Sequence, residues 1–359
     1  MDEIILKWIT VLTGFLTVVV CATLLVLPKV HENAVLAAEQ SQEAAYLTAR
    51  TEPVLQENAS VVEIPAVIEE PEENIGAQLQ IELPENVEYK DIQIENIYLT
   101  QTVYIHIPGS IKDYFSQYRV RGTCEHIAEL SYYTTDEESV IVLTLDRVYE
   151  LVQDYREENL YLDFVDPHDV YDKVIVVDAG HGGRASGACK NDIEEKNVNL
   201  GIVCALKELL DACPENIGVY YTRTDDANPT LDQRVQLANK CDADLFISVH
   251  SNATSTSGFS GRHGTEVLYS ESDTSELSSE MFADICQKNV AGILKSKDLG
   301  LVAGDRIYIV RTSEVPVALI EVGYMTNKNE LKNLSTPEYQ ALAAEGIYNA
   351  IFEAFEKGF

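Results

Sequence analysis

Basic residues are scarce in this chain: 26 Lys and Arg stand against 59 Asp and Glu, a net charge of −33 over 359 residues. Phosphate backbones and anionic lipid headgroups are bound by clustered Lys and Arg. The balance therefore excludes nucleic acid and acidic membrane surfaces as partners, and suits a divalent cation or an uncharged substrate. Any Cys-x-x-Cys pair is also lacking. Of seven cysteines, Cys21 lies in an apolar run, while Cys124, Cys189, Cys204, Cys213, Cys241 and Cys286 are scattered. A cysteine zinc site or a thioredoxin-like motif is thus unsupported. Buried free thiols are the expected reading, with a bridge left open in an oxidising compartment.

The chain is long enough for one good core plus smaller parts, and its texture changes along its length. Ile4 to Leu27 is apolar apart from Lys7 and a few small polar residues. As a helix it spans about 36 Å, enough to cross a bilayer. Residues 1–28 read as an uncleaved transmembrane anchor rather than a signal peptide, whose apolar core is shorter. Lys7 and Lys29 flank it on opposite sides and leave its orientation open. Residues 29–77 read as an acidic flexible linker. Between positions 51 and 100 twelve acidic residues oppose the single Lys90, and such a stretch is extended by its own charge. Residues 78–168 carry short strand candidates at Asp91–Tyr98, Thr102–Ile107, Val140–Leu145 and Leu160–Phe164, with a turn signal at Pro108-Gly109. Asp146–Tyr155 reads as helical, because Val148, Leu151 and Val152 recur at helical spacing. A small β-rich domain follows, with no catalytic cluster.

From residue 171 to 359 strands and helices alternate. Lys173–Asp178, Ile217–Thr222, Asp244–Val249, Thr265–Tyr269 and Val317–Ile320 read as strands. Helical stripes run through Leu200, Val203, Leu206 and Leu210, through Leu277, Met281 and Ile285, and through Leu342, Ile347 and Ile351. The fold class is α/β: a mostly parallel sheet covered by helices on both faces. The strand at Val174–Val177 is followed by Asp-Ala-Gly-His-Gly-Gly, which presents His181 in a glycine turn. Two further strands deliver His250 and Glu321. Working groups of open α/β sheets lie beyond the carboxyl ends of strands, so these three side chains converge on one edge. His181, His250 and a carboxylate would make a zinc site with a fourth position open to water. Glu195 is the best third ligand, because it opens the helix after the Gly183–Ile193 loop; Glu194 points elsewhere. Each residue alone has a blander role: a turn histidine satisfying backbone groups, Glu321 in an ion pair, Glu195 favoured by a helix N-terminus. Together they are hard to explain by packing, since a buried glutamate needs a cation or hydrogen bonds.

From Lys173 onward the chain resembles the zinc-dependent N-acetylmuramoyl-L-alanine amidases of the Amidase_3 family. The matching pieces are Asp178-Ala179-Gly180-His181-Gly182-Gly183, Glu195-Lys196-Asn197-Val198-Asn199-Leu200, Thr222-Arg223-Thr224-Asp225-Asp226, Leu231-x-x-Arg234 with Ala238-Asn239, Ser248 to Ala253, Gly264-Thr265-Glu266-Val267 and Glu321 to Asn327. The resemblance implies that His181, Glu195 and His250 bind zinc, that Glu321 is catalytic, and that the substrate is peptidoglycan, cut between N-acetylmuramic acid and L-alanine. With the N-terminal apolar run read as a single-pass anchor at the cell membrane, it implies an extracytoplasmic catalytic domain facing the wall, with an activator protein as an open partner. Asn252, close to the second histidine, is a candidate substrate contact. Arg223 and Arg234 are expected to brace loops, His263 to be a loop histidine and Cys189 a bystander. Many relatives carry an Asp soon after the glycine turn, where this chain has Arg184-Ala185-Ser186. Some carry an inhibitory helix after the second histidine; Ala253–His263 is too short and rich in Ser and Gly for one. Residues 78–168 faintly resemble the AMIN modules that accompany such amidases. Two other functions stay open: a wall-binding module that is inactive or awaits a partner, and a zinc peptidase of the stem peptide.

Overall fold

The computed structural model describes residues 68–69, 75–123, 125–255 and 258–359. The anchor expected over 1–28 and nearly all of the expected linker lie outside them. Among the described residues no helix is long and apolar enough to cross a membrane.

The first part is a β-sandwich. Its strands are β1 (Leu79–Glu82), β2 (Gln93–Ile97), β3 (Thr102–Pro108), β4 (Val120–Gly122), β5 (Ile127–Thr134), β6 (Glu138–Leu145), β7 (Glu150–Arg156) and β8 (Asn159–Val165). They form two four-stranded sheets, ordered β4-β1-β8-β7 and β2-β3-β6-β5. Inward residues of both sheets, among them Leu79, Ile81, Ile105, Leu143, Leu160 and Leu162, share one core. The helix expected at Asp146–Tyr155 is instead β7, paired antiparallel with β8 along its whole length. The helical spacing misleads because its three apolar residues serve different surroundings. Val148 is buried in the neighbouring α/β core, Leu151 packs on the sandwich core, and Val152 is exposed.

The α/β part holds β9 (Lys173–Ala179), a small hairpin β10 (Cys189–Lys190) and β11 (Ile193–Glu194), β12 (Ile217–Tyr221), β13 (Leu245–Asn252), β14 (Thr265–Tyr269), β15 (Asp298–Ala303) and β16 (Val317–Tyr324). Its helices are α1 (Glu195–Asp211), α2 (Leu231–Lys240), α3 (Ser279–Leu294), α4 (Tyr308–Arg311), α5 (Lys328–Leu334) and α6 (Pro337–Glu356). The sheet order is β12-β9-β13-β16-β14-β15. Every neighbouring pair is parallel except β16 with β14. Strand side chains alternate between faces. Ile175, Val177, Ile247 and Ile320 pack with α1, α3 and α6, while Val174, Val176, Phe246 and Val317 pack with α2 and α4. Helices therefore cover both faces, as the alternating pattern requires. In α6 the inward stripe is Ala343, Ala344, Ile347, Ala350, Ile351 and Ala354, and Leu342 is exposed, contrary to the stripe read from the sequence. Small alanines let α6 lie close over α3, where a Cβ on Gly346 would come within 2.8 Å of Ile293.

Sandwich and sheet meet at a built contact. Val148 packs among Val174, Val176 and Val235, and its N–H donates to the Lys240 carbonyl at 3.1 Å. Tyr98 and Tyr220 stack edge to face with centroids 4.9 Å apart. Their hydroxyls donate to the two oxygens of Glu150 at 2.7 and 2.6 Å.

Candidate active site

The chain leaves β9 for β12 on one side and leaves β13 toward β14 on the other, so the crevice between β9 and β13 is a switch point of the sheet. His181 follows β9 directly and His250 lies in β13. Glu321 is the register partner of His250 on β16. Two expectations need correcting here. β13 runs on to Asn252 and β16 to Tyr324, so His250 and Glu321 stand within strands and not at their ends. A charged residue after an apolar run reads as a terminus, yet this site keeps pairing through it.

The glycine turn is shaped for its neighbours. His181 itself adopts a left-handed φ of 63°. A Cβ on Gly180 would fall 2.3 Å from the His250 ring, and one on Gly187, at φ +65°, 2.5 Å from Glu195 Oε2 and 2.6 Å from His181 Cδ2. Glu195 opens α1, and the first two helical N–H groups, Glu195 and Lys196, donate to the Ala188 and Ser186 carbonyls at 2.9 and 3.1 Å. The loop is thereby folded onto the helix end, and Glu195 is turned back over the sheet. Its Oε1 stands 3.2 Å from His181 Nε2 and 3.1 Å from His250 Nδ1. The rings meet edge on, centroids 4.9 Å apart. Glu195 Oε1 also accepts from the Ser251 N–H at 3.1 Å and from Asn199 Nδ2 at 3.3 Å, and Oε2 accepts from the Ala188 N–H at 2.8 Å. One donor atom from each of His181, Glu195 and His250 lies within 4.8 Å of the others. Two imidazole nitrogens and one carboxylate oxygen on a braced frame are the donor set of a hydrolytic zinc site, and these residues fit that ion. Glu194 points away, bonded to Asn197 and Lys196.

Under the turn lies a buried ion pair. Asp178, fully buried, accepts from Arg234 Nη1 at 2.5 Å, from the Thr222 hydroxyl at 2.6 Å and from the Ser248 hydroxyl at 2.6 Å. Burial alone would raise its pKa, but the Arg234 charge and the two hydroxyls hold it below the usual carboxylate range. Arg234 also donates to the carbonyls of Ala179 and His181, and Arg223 to those of Ala179, Gly180 and Lys196. Both arginines brace backbone, as the sequence suggested.

Glu321 has a buried Oε2 without a hydrogen-bond partner among the described residues. Burial pushes its carboxyl well above the ordinary range, and the charges of Glu195 and Glu266 push the same way. Glu266 was quoted in the sequence motif but given no role there. It reaches this site because β14 runs antiparallel to β16 and pairs it directly with Glu321. Glu266 Oε1 accepts from Asn252 Nδ2 at 2.6 Å and from the Tyr324 hydroxyl at 2.7 Å. Asn252, the candidate substrate contact, also takes the Ala253 N–H on its oxygen at 2.7 Å, so both ends of its amide are engaged within the protein. His263 is an exposed loop histidine whose Nδ1 lies 3.0 Å from the Gly261 carbonyl. The described part of the 253–263 loop contains no helix. Of the described cysteines, Cys241 and Cys286 are buried, Cys189 is exposed, and Cys204 and Cys213 are half-buried, all as free thiols. The expectation of buried thiols thus holds for two of these five.

The family profile Amidase_3, described as N-acetylmuramoyl-L-alanine amidase, matches residues 175–353. The chain is 34% identical over 185 residues to the uncharacterized protein YqiI of Bacillus subtilis (strain 168), covering 52% of this chain and 86% of that protein. It is 31% identical over 203 residues to the germination-specific N-acetylmuramoyl-L-alanine amidase of the same organism, covering 52% and 81%. Among solved structures, the catalytic domain of CwlV, an N-acetylmuramoyl-L-alanine amidase from Bacillus (Paenibacillus) polymyxa var. colistinus, is 33% identical with a TM-score of 0.47, over 51% of this chain and 98% of that one.

Proposed function

The chain belongs to the Amidase_3 family of N-acetylmuramoyl-L-alanine amidases, and from that membership we propose that it hydrolyses peptidoglycan between N-acetylmuramic acid and L-alanine, with His181, Glu195 and His250 holding zinc and Glu321 as general base. The observation that carries the reading is the convergence of those three donors within 4.8 Å, with Glu321 one strand over in register with His250. Zinc bound there supplies a Lewis acid that polarises the scissile carbonyl and acidifies water. Glu321 takes the water proton on its unbonded oxygen and returns it to the departing alanine amine. Glu195 is fixed by Ala188, Ser251 and Asn199, so it holds its place as the amide is cut.

The remaining parts support a wall-facing enzyme. Ile4–Leu27 has the length and apolarity of a membrane anchor, and the β-sandwich, AMIN-like in our reading, is offered as a wall-binding module. The test is zinc content and product analysis on the full chain beside Glu321→Gln. About one zinc per chain, release of peptides that begin with L-alanine, and a variant that keeps metal without cutting are expected. Cleavage inside the stem peptide, or an active Glu321→Gln, would refute the assignment. Failure of the full chain to partition with membranes would remove the anchor, and failure to sediment with purified wall after loss of residues 78–168 only would support the sandwich's role.

A further inference from the structure

Beside Glu321 the 253–264 loop carries Arg262, an arginine engaged on one edge alone. The loop is pinned over the carboxyl ends of β13 and β16. The Ser260 N–H donates to the Thr326 carbonyl at 2.7 Å, and the Gly264 N–H to Glu330 Oε1 at 2.9 Å. Across the crevice, Lys190 of the β10–β11 hairpin donates to the Gly258 carbonyl at 3.0 Å and sits 5.2 Å over the Phe259 ring. Hairpin and loop are thus joined. From the loop, Arg262 Nε donates to the Tyr324 hydroxyl at 2.6 Å, and Nη2 donates to Glu266 Oε2 at 3.2 Å. These bonds use the side edge of the guanidinium. The end edge, Nη1 with the second hydrogen of Nη2, bonds to no described residue, and the side chain is 56% exposed. The guanidinium carbon also lies 5.3 Å from the Tyr324 ring centre. A planar fork held this way is preorganised to take a carboxylate with two parallel bonds.

We propose that Arg262 is a specificity-determining residue that binds a free carboxylate on the second residue of the stem peptide. The inference rests on the amidase reading above. In that reading Glu321 returns the proton to the leaving amine, so the peptide departs on the Glu321 side of the site. Glu266 pairs with Glu321 and carries the Arg262 fork, so the fork lies on that side too. In extended form the main-chain carboxyl of the second residue lies about 6–7 Å from the nitrogen that cleavage releases, nearly two strand steps. In the wall that residue is a glutamate linked through its side chain, whose main-chain carboxyl is either free or amidated. An anionic group entering a chain of net charge −33 needs a dedicated cation, and Arg262 is placed to be one.

The test uses the zinc-loaded full chain and calorimetry of two peptides, L-alanyl-γ-D-glutamyl-L-lysine and its counterpart with the glutamyl carboxyl amidated. The wild type is expected to bind the carboxylate form roughly ten- to a hundredfold more tightly, the worth of a charge-assisted bond. In Arg262→Gln that ratio falls toward one, and in Arg262→Lys it is intermediate, because the charge is kept and the fork is lost. A wild-type ratio below about threefold, or a ratio unchanged in Arg262→Gln, overturns the proposal; the first needs no variant to fold. Release of L-alanine-terminated peptides from intact wall is scored separately. Wall cleavage without a carboxylate preference overturns the role of Arg262 and leaves the amidase standing. A preference without cleavage supports Arg262 and overturns the amidase.

Discussion

Asp178→Asn is the substitution whose cost follows most directly from the geometry. The carboxylate is wholly buried, its partner Arg234 is 2% exposed, and three donors converge on it. The amide keeps the shape but removes the charge, which strands a guanidinium in the interior. Breaking a buried pair by removing one partner costs roughly 3–5 kcal/mol, or about 6–20 °C in melting temperature for a unit of this size. A second effect should appear at the metal. Arg234 Nη2 donates to the His181 carbonyl at 2.7 Å, so a displaced Arg234 loosens the strained turn that carries a proposed ligand. The assay is a thermal melt by circular dichroism with saturating zinc, followed by chelator competition. Asp178→Asn with Arg234→Met should recover part of the melting temperature, because no buried charge is left alone, while zinc affinity stays low because the turn has lost its brace. The pH dependence has a definite sign. The folded pKa of Asp178 lies below its unfolded value of about 4, so its contribution is complete above that value and is lost as pH falls through the folded pKa. The gap between wild type and Asp178→Asn should therefore close in acid. A variant melting within about 2 °C of wild type at neutral pH would refute the reasoning, since that is under 1 kcal/mol.

Gly187→Ala would drive a Cβ to within 2.5 Å of Glu195 Oε2 at a φ that alanine resists, and zinc affinity should fall about ten- to a hundredfold by chelator competition; unchanged affinity would mean that the loop yields freely. Glu150→Ala removes the acceptor shared by Tyr98 and Tyr220, leaving each hydroxyl short of about 1–3 kcal/mol, and should expose the 166–172 junction to limited proteolysis. Cleavage at the wild-type rate would show that the contact holds without the Glu150 bonds. At pH 8, Cys241, pushed up to about 12 by burial, holds about one thiolate in ten thousand, so iodoacetamide should label exposed Cys189 first, and mass spectrometry finding Cys241 labelled in the native protein would contradict its burial.

How far the sequence could be read depended on whether a feature was local. His181, Glu195 and His250 each announce themselves in their own neighbourhood, by a glycine turn, a helix start and a core strand, and the sheet only had to bring those neighbourhoods to one crevice. The sandwich was less legible. β5 runs Ile-Ala-Glu-Leu-Ser-Tyr-Tyr-Thr with few of its side chains buried, and β7 borrows helical spacing from residues that face different cores. The cluster around Glu321 was hidden for a topological reason. Alternating strands and helices argue for parallel neighbours, and in a fully parallel sheet the start of β14 would lie at the edge opposite the site. Because β14 runs antiparallel to β16, its first residues and the loop before them arrive beside Glu321 instead. Glu266 and Arg262 are thus brought to Glu321 and Tyr324 by the reversal of β14, and no window of sequence contains that reversal. The same reversal sets Arg262 and Glu266 beside Tyr324, so the anchoring of Ser260 and Gly264 decides where the Arg262 fork stands, whereas His181, Glu195 and His250 are brought together without that loop.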